Sequence, residues 1–69
     1  MKNNIKQYRE KAGLSQGELA AAVGVSRQTI NATERDRYNP SLELAFKLAT
    51  FFECKIEDLF EPDIELDDR

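Results

Sequence analysis

Histidine is absent from the 69 residues, and there is a single cysteine, Cys54. These two absences exclude a disulfide cage and a zinc site, the usual supports of a chain this short. They also leave no nucleophile–base pair and no metal-ligand set, so no catalytic residue, metal or cofactor is expected. The carboxylate pairs Glu57-Asp58 and Asp67-Asp68 read as solvated charge. No run approaches the roughly 20 apolar residues that cross a bilayer, so no membrane partner is expected. The start Met1-Lys2-Asn3-Asn4 lacks the order of a secretory signal, and a lone thiol suits a reducing compartment. A cytoplasmic location is expected. At this length the chain holds one small core, which lowers the prior for an enzyme.

Net charge is −3, which by itself argues against a nucleic-acid partner. The total conceals an asymmetry. Residues 1–40 carry seven basic groups against four acidic ones, a net of +3, whereas the remainder carries three against nine, a net of −6. One basic end can still face phosphate, with modest affinity that salt readily weakens.

Glycine and proline are few, three and two, and they punctuate the chain. A first helix is expected from about Asn3 to Ala12, with Ile5, Tyr8 and Ala12 on one face and Gly13 ending it. Ser15-Gln16-Gly17-Glu18 has the form of a capping box, opening a second helix to about Val23 with Leu19, Ala20 and Val23 as its apolar stripe. Gly24 closes that helix and Val25 plugs the turn. Ser26 caps a third, polar helix ending near Asp36, with Ile30 and Thr33 inward and Arg27, Gln28, Asn31, Ala32 and Arg35 outward. After Tyr38-Asn39-Pro40, Ser41 caps a fourth helix with Leu44, Ala45, Leu48, Ala49 and Phe52 on its buried face. A short turn of helix is expected at Glu57-Asp58-Leu59-Phe60. The tail, residues 62–69, reads equally as an edge strand or as a disordered acidic end, beside a domain spanning residues 1–61. Cys54 reads as a small core residue.

Helix, glycine turn and capped polar helix is the form of a helix-turn-helix. The segments Gly13-Leu14-Ser15-Gln16, Glu18-Leu19-Ala20, Val23-Gly24-Val25-Ser26, Arg27-Gln28-Thr29-Ile30, Glu34 and Asn39-Pro40-Ser41-Leu42 occur in one order. Together they resemble the Cro and lambda-repressor-like, or XRE, helix-turn-helix family across about residues 3–60. The resemblance implies an all-α, five-helix DNA-binding domain whose third helix reads base edges.

Side-chain chemistry at the matching positions agrees with that implication. Arg27 can fork onto guanine and Gln28 can pair with adenine, while Asn31 and Ala32 are the further base-contact candidates. Ser15, Gln16, Ser26, Thr29, Arg35, Arg37, Tyr38 and Asn39 are the candidates for the DNA backbone. Arg9 and Glu34 match positions that form a partly buried ion pair in the family. Three departures stand out. Thr33 replaces the usual Ile or Leu, Arg35-Asp36 replaces a frequent Asn-Gly helix end, and Gly17 weakens the second helix by up to about 1 kcal/mol.

The function this implies is a regulator of transcription, a repressor, bound to double-stranded DNA as a homodimer on a pseudo-palindromic operator. Phe46, Phe51, Phe60, Ile64 and Leu66 are the candidate dimer surface, since aromatic area accumulates near the C-terminus. A rival reading keeps the fold but makes the chain a protein-binding module, an antitoxin or adaptor whose acidic half binds a basic protein.

Overall fold

A computed structural model describes residues 1–62 and 64–66. Five helices follow one another: α1 (Ile5–Lys11), α2 (Gln16–Val23), α3 (Arg27–Glu34), α4 (Leu42–Phe52) and α5 (Ile56–Leu59). A minor two-stranded sheet joins β1 (Lys2–Asn3) to β2 (Phe60–Glu61) in antiparallel register, with Lys2 opposite Glu61 and Asn3 opposite Phe60. The all-helical expectation therefore needs this one addition.

Local chemistry sets most boundaries. Ser15, Ser26 and Ser41 each accept a hydrogen bond from the backbone N–H three residues on, satisfying a donor that the first turn of a helix leaves orphaned. At the end of α2, Gly24 takes φ 75°, and the N–H groups of Gly24 and Val25 both reach the Ala20 carbonyl. That left-handed residue turns the chain within three residues, so α2 and α3 become immediate packing partners.

The core gathers Ile5, Leu19, Ala20, Val23, Ile30, Leu44, Ala45, Leu48, Ala49, Leu59 and Phe60. Thr33, in place of the usual aliphatic residue, is buried too. Its hydroxyl donates to the Thr29 carbonyl at 2.7 Å, so the polar atom is satisfied inside the helix. Cys54 packs half-buried against this core, and burial pushes its thiol up from the ordinary value, the opposite of an activated nucleophile.

Several expectations are corrected here. The first helix starts at Ile5 rather than Asn3, because Asn3 belongs to β1 and caps from outside, its Oδ1 accepting from the Ile5 N–H at 3.1 Å. Ala12 is exposed, and Arg9 is the buried partner of Ile5 on α1. The third helix ends at Glu34, short of Asp36. Asp36 instead takes φ 61° in the reversal that follows, where its N–H bonds Thr33 and the Arg37 N–H bonds Ala32. Phe60 leaves α5, enters β2 and is 6% exposed, so it fills the core and offers no dimer surface. A strand does form just before the tail, at Phe60–Glu61. Ile64 and Leu66 are exposed and outside any strand, and Asp63, Asp67, Asp68 and Arg69 lie outside the described residues.

Candidate nucleic-acid interface

The N-terminal end of α3 places Arg27 and Gln28 in solvent. Neither side chain makes a hydrogen bond or ion pair among the described residues. Ser26, just before them, is occupied: its Oγ accepts from the Thr29 N–H at 3.1 Å and shares a second hydrogen bond with Thr29 Oγ1 at 3.0 Å. Thr29 is half-buried. The cap thus fixes the leading end of the helix and leaves the next two side chains without a packing duty.

Behind that end lies a connected set of polar groups. Arg9, on α1, donates from Nε to Glu34 Oε2 at 2.7 Å and from a terminal nitrogen to Oε1 at 3.2 Å. Its other terminal nitrogen donates to the Leu14 carbonyl at 2.8 Å. Glu34 holds the guanidinium even more firmly protonated than usual, although burial acts the other way. Gln16, first residue of α2, donates to Glu34 Oε1 at 3.1 Å, and Asn31 donates to Gln16 Oε1 at 3.3 Å. One residue from each of α1 and α2 is therefore tied to two on α3. Asn31 and Ala32, expected to face outward, are half-buried. Asn31 is bonded to Gln16 there.

Ser15 is exposed and closes the capping box, its Oγ accepting from the Glu18 N–H at 3.0 Å while Glu18 Oε1 accepts from the Ser15 N–H at 2.8 Å. These bonds hold the Glu18 carboxyl below its ordinary 4.5. A depressed carboxyl contributes stability that is complete above about 4.5 and is lost as the pH falls through the lowered value. Glu18→Gln keeps the geometry of the box without the charge. Thermal melts of the two proteins should differ above that pH and converge below it; a constant difference would refute the assignment.

Beyond α3, Arg35, Arg37, Tyr38 and Asn39 are all exposed. Asp36 sits among them, and its carboxylate accepts from Asn3 Nδ2 at 3.1 Å; the same amide nitrogen donates to the Thr33 carbonyl at 2.7 Å. The short strand thereby anchors the loop after α3. Of the proposed apolar surface, Phe46 and Phe51 are exposed and border a groove with Ala21 and Ala22 at the end of α2. Leu42, 71% exposed, was missed in the sequence reading; it stands four residues before Phe46 and shares its face of α4. No helix among the described residues is long and apolar enough to cross a membrane.

Comparison with known proteins agrees with this architecture. The Helix-turn-helix family model matches residues 5–59. An uncharacterized HTH-type transcriptional regulator of Methanocaldococcus jannaschii is 58% identical over 60 residues, covering 87% of this chain and 91% of that protein. Among solved structures, the restriction-modification controller protein C.AhdI from Aeromonas hydrophila superposes with a TM-score of 0.75 at 35% identity, over 83% of this chain and 86% of its own. The N-terminal DNA-binding domain of SinR from Bacillus subtilis gives 0.76 at 32% identity, over 90% and 91%. With its capped helix pair, its five-helix core and these relatives, the chain belongs to the XRE-type helix-turn-helix family, transcriptional regulators with a DNA-binding fold rather than enzymes.

Proposed function

We propose that this protein is a sequence-specific repressor that reads double-stranded DNA by inserting the N-terminal end of α3 into the major groove. The observation that carries the reading is the freedom of Arg27 and Gln28: both are exposed directly after a cap and neither has a partner among the described residues. Arg27 supplies a fork for guanine O6 and N7, and Gln28 a donor–acceptor pair for adenine N6 and N7. Asn31 and Ala32 lie one turn further in, toward a base edge and a thymine methyl. Ser15, Gln16, Ser26, Thr29, Arg35, Arg37, Tyr38 and Asn39 flank them and would hold phosphates, fixing register without reading sequence. Asp36 in this row opposes the phosphates and keeps non-specific affinity low.

Two copies bind successive half-sites about 34 Å apart on a pseudo-palindromic operator. Leu42, Phe46 and Phe51, with Ile64 and Leu66, supply exposed apolar area for the pairing. Light scattering at micromolar concentration should give a dimer, and a strict monomer would remove the half-site geometry. The same apolar groove between α2 and α4 supports the second reading, an adaptor or antitoxin that binds another protein. Selection of bound sequences from random duplexes at stated salt separates the two. Arg27→Ala should then weaken binding by about 1–3 kcal/mol and relax the preference at one base pair. Binding indifferent to this substitution would favour the protein-binding reading. A reporter carrying the selected site should lose expression when the protein is supplied; a gain would make it an activator.

A further inference from the structure

We infer that the Arg9–Glu34 ion pair sets, through Gln16, which way round Asn31 presents its side-chain amide, and so makes position 31 a reader of exocyclic amino groups, on adenine or cytosine. This rests on α3 being the major-groove helix.

The direction follows from what each group can do. A carboxylate only accepts hydrogen bonds. Both Glu34 oxygens already receive Arg9, and Oε1 also receives Gln16 Nε2 at 3.1 Å. Turning the Gln16 amide over would set its oxygen lone pairs against that carboxylate. Gln16 therefore points Oε1 at Asn31, and Asn31 must donate, which it does through Nδ2 at 3.3 Å. A charge fixed on α1 thus propagates as hydrogen-bond polarity through α2 to a side chain on α3.

Asn31 then turns its oxygen away from Gln16, and its one remaining N–H stays on the nitrogen bound there. Asn31 Oδ1 has no hydrogen-bond partner among the described residues. No buried side-chain polar atom is left unpartnered there, so Oδ1 is not sealed from solvent. Gln16, Arg27, Gln28 and Asn31 line one shallow cleft on this face. An acceptor in that cleft matches the amino groups of adenine N6 and cytosine N4, and opposes guanine O6 and thymine O4. An untethered asparagine would rotate its amide to suit either kind of edge. Here rotation breaks the relay, so Glu34, which touches no base, becomes a positioning residue for specificity.

Two measurements test this, one without DNA. In the free protein, the Asn31 side-chain amide should have a nitrogen-15 order parameter near that of the backbone, falling to that of a surface amide in Gln16→Met. A mobile Asn31 amide in the wild type would overturn the relay, whatever DNA does. The second uses the duplex selected by the wild type, at the base pair whose preference vanishes in Asn31→Ala. Replacing the base there by an analogue lacking its exocyclic amino group should weaken wild-type binding about tenfold, whereas removing the partner base's carbonyl should change nothing. In Gln16→Met overall affinity should fall with the lost phosphate contact, while the amino-group loss, read as a ratio within the variant, should shrink to about twofold. Dependence on the carbonyl, or an unchanged loss in Gln16→Met, would overturn the inference. Failure of the wild type to enrich any sequence would instead remove the DNA reading, leaving the amide measurement to decide the relay. A cooperative melt for Gln16→Met, at a lower midpoint because Glu34 loses one donor, shows that the variant folds.

Discussion

Replacing Arg9 by methionine is expected to destabilise the protein by about 3–5 kcal/mol, a large share of the roughly 5–15 kcal/mol that small domains possess. Methionine fills much of the volume, so the loss is electrostatic. It leaves the Glu34 carboxylate, 4% exposed as a side chain, with the Gln16 amide as its remaining donor, and strips the Leu14 carbonyl of its guanidinium partner. Urea titration should show a lower midpoint at unchanged slope. The double variant Arg9→Met/Glu34→Met should recover most of the loss, because an apolar pair of similar volume carries no desolvation penalty. The exposed Glu43–Lys47 pair, at 3.4 Å, is the internal control: breaking it should cost about 0.2–1 kcal/mol. A cost that small at Arg9 would mean that water reaches Glu34 and that the pair does not order α3.

Ile30→Ala should cost about 2–5 kcal/mol by a different mechanism, the cavity left when four carbons become one. Ile30 is fully buried and is the main apolar anchor of α3, whose remaining inward residue, Thr33, carries a hydroxyl already committed to its own helix. With that anchor shortened, the helix bearing Arg27 and Gln28 stays attached largely through its polar ties to Arg9 and Gln16. Chemical denaturation should again give a lower midpoint at unchanged slope. Saturating DNA should restore part of the lost stability by mass action, since DNA binds the folded form. A loss below 1 kcal/mol would mean that α3 is held by its hydrogen bonds and not by the core.

The two substitutions bear on different parts of the same design. Arg9 orients α3 and Ile30 attaches it, so on the proposed function Arg9→Met should disturb base preference at a given folded fraction, whereas Ile30→Ala should act mainly through the amount of folded protein. Their effects should add poorly, because Glu34 and Ile30 lie one turn apart on the same short helix.

Much of this fold was legible in the amino acids because its signals are local. Ser15 caps through Glu18, Ser26 through Thr29 and Ser41 through Leu44, each within three residues. Gly13 and Gly24 occupy left-handed positions that other residues adopt at a cost, so the ends of α1 and α2 were readable beside their starts, whereas Asp36 and Glu53 take such positions after α3 and α4 without announcing them. The freedom of Arg27 and Gln28 followed from their place after a cap. The Arg9–Glu34 pairing came from family resemblance, since no spacing of 25 residues announces a contact.

What the sequence determined by itself was therefore the set of helices and the polar face of the third, because caps, glycine turns and 3.6-residue periodicity act between near neighbours. Only the tertiary structure decided what joins across the chain. Asn3 pairs with Phe60 in strands too short to show any alternation, which buries the aromatic ring that looked free for a partner. Asp36 accepts a left-handed turn under the amide of Asn3, and Gln16 links Glu34 to Asn31. Each of these depends on groups brought together by closure of the core. Hydrogen-bond direction, which fixes what Asn31 offers, exists only once donor and acceptor meet.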